Sequence, residues 1–207
     1  NEAAMGGGGI CVMSKASVTA KNVTITNNTA NEGGCIYLSD NATYEMDGGD
    51  YSGNTCTAKS AMFFVSPKST FKLDLADNAT NIVEDLDGCT PTSVTLTGRT
   101  LYKDNEWNTL CLPFDVDLED DKSPLYGADA RTLTEASFDD EGKLSFAFGN
   151  PVTKLVAGTP YIIKWANGDN LTSKELVFTG VTISKEEHNF TSTDGNVQFI
   201  GTTVYKT

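Results

Sequence analysis

Residue types that commonly do chemistry are sparse in this chain of 207 residues. His188 is the only histidine and stands in the polar run KEEHNF, where a solvated side chain is expected rather than part of a Ser-His-Asp triad. The five cysteines contain no CxxC pair, which argues against zinc, and most are expected to be small buried hydrophobic residues. We therefore predict no catalytic residue, no cofactor and no resident metal.

An acidic run in the second half is the strongest candidate for a cation site. Carboxylate oxygens are the ligands that Ca²⁺ takes. However, the first two acids alternate with apolar residues, as on a solvated strand face, and no glycine-turn loop of the EF-hand type follows. A charge-rich surface loop is the favoured interpretation, with Ca²⁺ binding as the alternative. The candidate ligands are Asp115, Asp117, Glu119, Asp120 and Asp121.

Three aromatic residues of the second half could contact carbohydrate. Trp107, Tyr161 and Trp165 have rings that could form a platform for stacking on a sugar. The alternative is that they belong to the hydrophobic core, where tryptophan in strand-rich segments is usually found. Both interpretations predict that these residues lie in or beside β-strands.

Composition excludes several classes of function. The net charge of −13 has the wrong sign for binding nucleic acid or an anionic membrane surface. No apolar stretch reaches the roughly 18 residues needed to span a bilayer. The abundance of Thr, Asn, Gly and Ser is typical of many strands joined by polar turns, as in extracellular bacterial proteins.

The first part of the chain contains a repeat. The motif Gly7-Gly8-x-Ile10 recurs 26 residues later, Asn28 recurs as Asn54 at the same spacing, and a weaker third copy places Met62 in register with Ile10. A fixed period of this length is the signature of solenoids. A phosphate-binding loop is rejected because no Lys and Ser or Thr follow the glycines. The repeat residues are Gly7, Gly8, Ile10, Asn28, Gly33, Gly34, Ile36, Asn54 and Met62.

The repeat predicts a parallel β-helix. Apolar residues alternate within each copy, as in Phe71-x-Leu73-x-Leu75, which is the period of strands rather than helices. Three short strands and three turns fill one period, and equivalent residues lie above one another. We therefore expect an interior ladder through Ile10 and Ile36 and an amide ladder through Asn28 and Asn54. The glycines are expected at a tight corner.

Carboxylates of the repeat raise an enzymatic alternative. Polysaccharide lyases and glycoside hydrolases use β-helices, and catalysis there needs acids on adjacent coils. Asp47, Asp50 and nearby Glu45 are the candidates. The period of 26 places Thr19 and Phe71 beside Glu45, so no acidic ladder is expected there.

After about residue 90 the repeat stops and a different pattern begins. Five β-like runs, separated by turn clusters such as GNP and TDGN, predict a β-sandwich. The stretch ADARTLTEASF, residues 128–138, is predicted to be a crossover or short helix. The predicted strand runs are TLCLPFDVDL, KLSFAFG, TPYIIKWA, ELVFTGVTIS and VQFIGTTVY.

Two resemblances follow from these motifs. The GG-x-I and aromatic-or-aliphatic-x-x-N pairs resemble the GGAI and FxxN repeats of chlamydial polymorphic outer-membrane proteins and related β-helical adhesins, although neither copy carries Phe. The segments WNTLCLPFDV, GTPYIIKW and VFTGVTI, in this order, resemble a module common in surface and secreted proteins of Bacteroidales. The second resemblance is the more specific, and it implies location rather than activity.

Together these features predict an all-β chain. We expect about three coils of a right-handed parallel β-helix over residues 1–90, followed by a β-sandwich over residues 91–207. The resemblances imply a non-enzymatic adhesin-like protein or structural stalk, extracellular or on the outer surface of a Gram-negative bacterium. Expected partners are a surface glycan or protein of the host or community, and another copy through the solenoid end. The alternative is a protein that binds or degrades carbohydrate, with its active coils upstream.

Overall fold

The computed structural model describes residues 1–58, 62–76 and 83–201, and this part of the chain consists of strands and turns without a helix. The predicted all-β class is confirmed. A membrane-spanning helix is accordingly not found among the described residues. The first nine strands are β1 Glu2–Gly6, β2 Ile10–Val12, β3 Ser17–Lys21, β4 Thr29–Glu32, β5 Ile36–Leu38, β6 Thr43–Asp47, β7 Thr55–Cys56, β8 Phe63–Val65 and β9 Thr70–Ala76.

These nine strands form three parallel sheets, and the chain visits each sheet three times. The sheet orders are β1-β4-β7, β2-β5-β8 and β3-β6-β9. Each passage through the three sheets is called a circuit here. Equivalent residues of the first two circuits lie side by side, as in the pairing of Ile10 with Ile36 and of Ala20 with Met46. The interior of the second circuit is fully buried, with Leu38 and Tyr44 at 0% exposure.

The third circuit is displaced by one residue from the predicted register. Ile36 pairs with Phe63 rather than with Met62, and Leu38 pairs with Val65 rather than with Phe64. The extra residue lies between β7 and β8, because β4 and β7 still pair at the spacing of 26. A one-residue shift moves every side chain to the other face of a strand. The prediction for Met62 was therefore wrong, and the buried Phe63 occupies its interior position.

Glycines occupy the predicted corner for two separate reasons. Gly7 and Gly33 have positive φ values of 73° and 56°, which disfavour residues with a side chain. Gly8 and Gly34 allow close approach instead, since a Cβ atom on either would collide with a backbone oxygen of the next circuit. The repeated glycine pair thus combines one conformational and one steric requirement.

An asparagine ladder joins the circuits through buried amides. Asn54 Oδ1 accepts hydrogen bonds from Asn28 N at 3.0 Å and Asn28 Nδ2 at 2.9 Å. Its Nδ2 donates to the carbonyl oxygens of Ile25 and Tyr51 at 2.6 and 2.5 Å. The Asn28 Oδ1 atom in turn accepts a hydrogen bond from the backbone nitrogen of Asn1 at 3.1 Å.

The remaining strands continue from the third circuit without leaving its sheet. Strand β10 pairs in parallel with β9 and antiparallel with β18, so the predicted boundary at residue 90 falls between two strands of one sheet. The bounds are β10 Ser93–Thr97, β11 Asn108–Leu110, β12 Val116–Asp117, β13 Asp129–Arg131, β14 Leu133–Phe138, β15 Leu144–Phe148, β16 Lys154–Leu155, β17 Tyr161–Lys164, β18 Val177–Phe178, β19 Phe190–Thr191 and β20 Gln198–Phe199.

These strands make small antiparallel units, of which β11-β17-β13 and β12-β16 contribute residues to the hydrophobic core. The units are β11-β17-β13, β12-β16, β14-β15 and β19-β20. Phe114 and Phe178 pack with ring centroids 5.0 Å apart, and buried residues of both halves form one hydrophobic cluster. The predicted run VQFIGTTVY extends past residue 201 and lies partly outside the described residues.

The stretch at residues 128–138 is not a helix. It contains β13 and β14, and β14 pairs with β15 along its length. Pairing with the alternating run LSFAF decides the conformation, because cross-strand contacts override the weak helical preference of residues such as Glu135 and Ala136.

We predict that Asn54→Ala lowers the free energy of unfolding by about 3 kcal/mol, because four hydrogen bonds are lost, three of them buried. Urea unfolding of the purified chain measures this change. The exposed Asn167 provides the control, and Asn167→Ala is expected to change stability by about 0.5 kcal/mol or less. Equal losses in the two variants would contradict a special role for the ladder.

Candidate functional site

An exposed tryptophan marks the outward face of the sheet β11-β17-β13. Trp107 directly precedes β11, and the antiparallel pairing with β17 brings it beside Lys164. Its residue surface is 40% exposed. Lys164 Nζ lies 4.6 Å and Arg131 Cζ 5.7 Å from the centroid of the indole ring, within the range of cation–π contacts. We call Trp107, Asp129, Arg131 and Lys164 the Trp107 surface.

Arg131 of the Trp107 surface is held in place by Asp129. Arg131 Nε and Nη2 donate to the two carboxylate oxygens of Asp129, both at 2.9 Å. This fork geometry fixes the guanidinium plane. The hydrogen bond with Asp129 also raises the pKa of Arg131. The only other arginine of the chain, Arg99, lies at the same sheet and donates from Nη2 to the carbonyl oxygen of Thr109 in β11.

The other two predicted carbohydrate contacts belong to the core. Tyr161 and Trp165 are 4% and 7% exposed. The hydroxyl of Tyr161 accepts a hydrogen bond from Val156 N at 3.0 Å, and Trp165 Nε1 donates to the carbonyl oxygen of Tyr126 at 3.2 Å. A joint platform of three rings is therefore wrong, because β17 turns these two side chains inward while Lys164 faces outward. Of the three predicted carbohydrate contacts, Trp107 is the one whose ring is accessible to solvent.

The acidic run makes contacts within the chain. Asp115 forms an ion pair with Lys154 at 2.6 Å and accepts a hydrogen bond from Ala157 N at 2.9 Å. The Lys154 contact, and then the amide, lower the pKa of this carboxyl. Asp117 and Asp120 accept hydrogen bonds from the backbone two residues ahead, at 2.8 and 3.0 Å.

The five acids of this run are exposed, as the predicted solvated face requires, and the intervening Val116 and Leu118 are buried. Asp115, Asp117 and Asp120 border one shallow cleft beside β18. Within residues 1–58, 62–76 and 83–201, three or more His, Cys, Asp or Glu side chains do not come together in a metal-binding arrangement. Ca²⁺ binding by Asp115, Asp117, Glu119, Asp120 and Asp121 stays an untested alternative.

The carboxylates of the repeat are placed differently from the prediction. Glu45 pairs with Lys72, not Phe71, because of the extra residue in the third circuit. Its Oε1 lies 2.7 Å from Lys72 Nζ, and this hydrogen bond lowers the pKa of Glu45. Asp47 lies beside Asp74 in the next circuit, an adjacent pair of acids that the period of 26 did not reveal.

Asp50 and the lone histidine each contact residues of their own polar turn. Asp50 Oδ1 accepts a hydrogen bond from Ser52 N at 3.0 Å, and Ser52 lowers the pKa of this carboxyl. His188 is exposed, and its Nε2 lies 3.5 Å from Glu186. These local contacts within polar turns are typical of solvated side chains.

The cysteines differ in accessibility. Cys35 and Cys89 are buried, Cys56 and Cys111 are half-buried, and Cys11 is exposed; all five are thiols rather than members of disulfides. Burial raises the pKa of Cys35, Cys89 and Cys111 to about 12, so these thiols are protonated at neutral pH and poor nucleophiles. Buried cysteines therefore act here as small hydrophobic residues.

Comparison of the chain with protein-family models, with curated proteins and with solved structures found no match.

One exposed surface was missed by sequence reasoning. Strands β14 and β15 form a hairpin whose rings at Phe138, Phe146 and Phe148 are 48%, 56% and 36% exposed. The alternation LSFAF is visible in the sequence, and it predicts that one face of β15 is apolar. The pattern does not say whether that face is covered.

The ion pair of Asp115 generates a prediction on pH. A carboxyl with a lowered pKa contributes stability above its unfolded pKa, and this contribution is lost as the pH falls through the folded pKa. We expect Lys154→Gln to move the carboxyl titration of Asp115, followed by NMR, upward towards the ordinary range for aspartate.

Lys174→Gln, which removes a different exposed lysine, is the control for net charge and should leave the titration in place. The associated loss of stability at neutral pH is expected to be about 1 kcal/mol or less, because both partners are solvent-exposed. An unchanged titration in Lys154→Gln would refute the assigned cause.

Proposed function

We propose that this chain is part of an extracellular or outer-surface bacterial protein that acts as a stalk or adhesin shaft rather than as an enzyme. In this proposal the three circuits are coils of a right-handed parallel β-helix. The strands after residue 90 belong to a β-sandwich module that covers the end of the solenoid. The resemblances of the GG-x-I repeats and of the WNTLCLPFDV segment supply the location.

The observation that carries the proposal is the residue-for-residue ladder between circuits. Buried Asn28 and Asn54 bond along the direction of stacking, and the hydroxyls of Thr29 and Thr55 lie 2.8 Å apart on the exposed face above them. Each circuit therefore satisfies polar groups of the next. Such nearest-neighbour interactions stabilise elongated arrays whose length can be changed by adding repeats.

Two carboxylates of the repeat already bind other groups of the chain, which supports a structural role. Glu45 forms an ion pair with Lys72, and Asp50 accepts a hydrogen bond from the backbone N–H of Ser52. A catalytic acid or base must instead reach the substrate in the correct protonation state. Lowered pKa values suit permanent carboxylates and do not suit a general acid at neutral pH.

We predict that the purified chain does not release reducing ends from a panel of neutral and acidic polysaccharides beyond the rate of a double variant, Glu45→Gln with Asp47→Asn. The variant replaces the carboxylates of Glu45 and Asp47, which lie beside Lys72 and Asp74 of the next circuit, and keeps the size of both side chains. Release by the natural chain that is abolished in the variant would overturn the non-enzymatic proposal.

A second candidate function, carbohydrate binding, is favoured by the Trp107 surface. The indole ring could stack on the apolar face of a sugar, and Lys164 could pair with an acidic group on the same residue of the glycan. The net charge of the chain is −13, so most of its surface would repel such a ligand. An adhesin with this site would recognise an acidic surface glycan.

A glycan array tests this candidate with paired variants. We expect any binding to favour acidic over neutral glycans and to fall about tenfold or more in Trp107→Ala. Tyr102→Ala removes another exposed aromatic ring and is expected to leave binding unchanged. Equal losses in both variants, or binding unaffected by Trp107→Ala, would contradict a role for the Trp107 surface.

A further inference from the structure

The β14-β15 hairpin carries an apolar face that is open to solvent. Cross-strand pairs join Phe138 to Leu144 and Ala136 to Phe146, so one side of the hairpin is apolar throughout. We call this side, completed by Phe148, the hairpin face. The opposite side carries Ser137 paired with Ser145 and Glu135 paired with Ala147. A contiguous exposed apolar patch of this kind marks an interaction site more often than scattered residues do.

The same residues also present unpaired backbone groups. Asp139 N donates to the carbonyl oxygen of Lys143 at 3.0 Å, which makes these two residues a hydrogen-bonded pair. Such pairs alternate along an antiparallel ladder. The N–H and C=O groups of Leu144 and Phe146 therefore point away from β14, towards the outer edge of β15. Gly149 N bonds to the carbonyl oxygen of Thr132, and the alternation beyond the bulge gives Phe148 the same orientation.

The outer edge of β15 lacks a partner strand in the part of the chain that the structure describes. Edge strands in proteins are usually protected by an inward charge, a proline or a bulge. Here the bulge lies in β14, between Leu133 and Glu135, and β15 itself contains none of these features. A two-stranded hairpin is marginally stable alone. A further strand beside β15 would add hydrogen bonds along its open edge and side-chain contacts with its neighbours.

We propose that β15 pairs antiparallel with β15 of a second copy of this chain, about a two-fold axis at Phe146. This register is self-complementary, because Leu144 then lies opposite the partner's Phe148. Both are residues whose backbone groups point outward, so each such pair can exchange two hydrogen bonds. The two hairpin faces fall on the same side and become one continuous apolar surface of four strands.

Charge favours the antiparallel arrangement over the parallel one. The hairpin turn carries Asp139, Asp140 and Glu141, with Lys143 as its only cation. A parallel register would place the two acidic turns side by side. Pairing about Phe146 instead sends them to opposite ends of the four-stranded sheet. The net charge of −13 on each copy still opposes association, so added salt is expected to strengthen the dimer.

The size of the contact sets its strength. Edge-to-edge pairing leaves the outward side of the hairpin face open to solvent, so the contact buries only the edges of two five-residue strands and the flanks of the rings beside the two-fold axis. A standard stable interface buries about 800 Å² on each partner. We therefore expect a weak dimer, with a dissociation constant of about 100 µM. This self-association does not depend on the proposed stalk function and uses a different surface from the solenoid end.

Sedimentation equilibrium of the purified chain, from about 10 µM to about 1 mM at low and high salt, tests the proposal. The apparent mass should rise towards twice the monomer value with concentration, and more so at high salt. Phe146→Lys places like charges across the axis and should abolish the rise. Ser145→Lys adds the same charge on the opposite side of β15 and should retain most of it.

Cross-linking separates this edge from other contacts. In a Cys11→Ser background, which removes the exposed thiol, Phe146→Cys should form a disulfide-linked dimer under oxidising conditions. Asp140→Cys at the hairpin turn should not, because the turns lie far apart. A monomeric natural chain throughout the concentration range would overturn the proposal. So would a large loss of thermal stability in Phe146→Lys under dilute conditions, since it would show that the hairpin face is covered within the chain.

Discussion

The buried amide of Asn54 is the interaction on which the alignment of the first half depends. It binds four groups from two circuits and is itself 7% exposed, so an error in stacking would leave several polar groups buried without partners. Apolar ladders tolerate a shift by one residue wherever the neighbouring residues are also apolar. The amide does not, because its donors and acceptor have fixed directions. The asparagine ladder therefore specifies the register that the hydrophobic interior then stabilises.

That register extends into the second half of the chain. Strand β9 continues the stacked sheet, β10 pairs with β9 over its whole length, and β18 closes the far side. The edge of β9 is thus covered by strands that also carry core residues of the second half, such as Val94 and Phe178, whereas β7 and β8 remain the last strands of their sheets in the described part of the chain. The two sequence patterns meet in one sheet and one hydrophobic cluster. Covering an open sheet edge prevents indiscriminate pairing with other chains.

The parts of the fold that the sequence predicts well are those where chemistry restricts the residue. Only glycine fits at Gly33, where φ is positive and a Cβ would collide with the carbonyl oxygen of Ile36, and only an amide both donates and accepts as Asn28 does, so both recur at the period. The third circuit was misaligned because Met62, Phe63, Phe64 and Val65 are all apolar and fit either register. The aromatic residues of the predicted carbohydrate site were separated for a similar reason, since a ring in a strand suits either face. Which face is covered depends on tertiary packing that a single sequence does not show.

Ligand binding is easier to reconcile with the second half than with the stacked circuits. Several outward polar groups of the circuits already bond to one another, as Glu45 does to Lys72 and Thr29 to Thr55. A ligand there would have to break these bonds before gaining its own, and the exchange leaves little net free energy. The Trp107 surface and the hairpin face instead expose apolar area, and β15 adds backbone groups that lack a strand partner among the described residues. Contact at either surface removes apolar area from water without breaking a ladder, so we infer that the circuits provide extension and that the strands after them provide recognition.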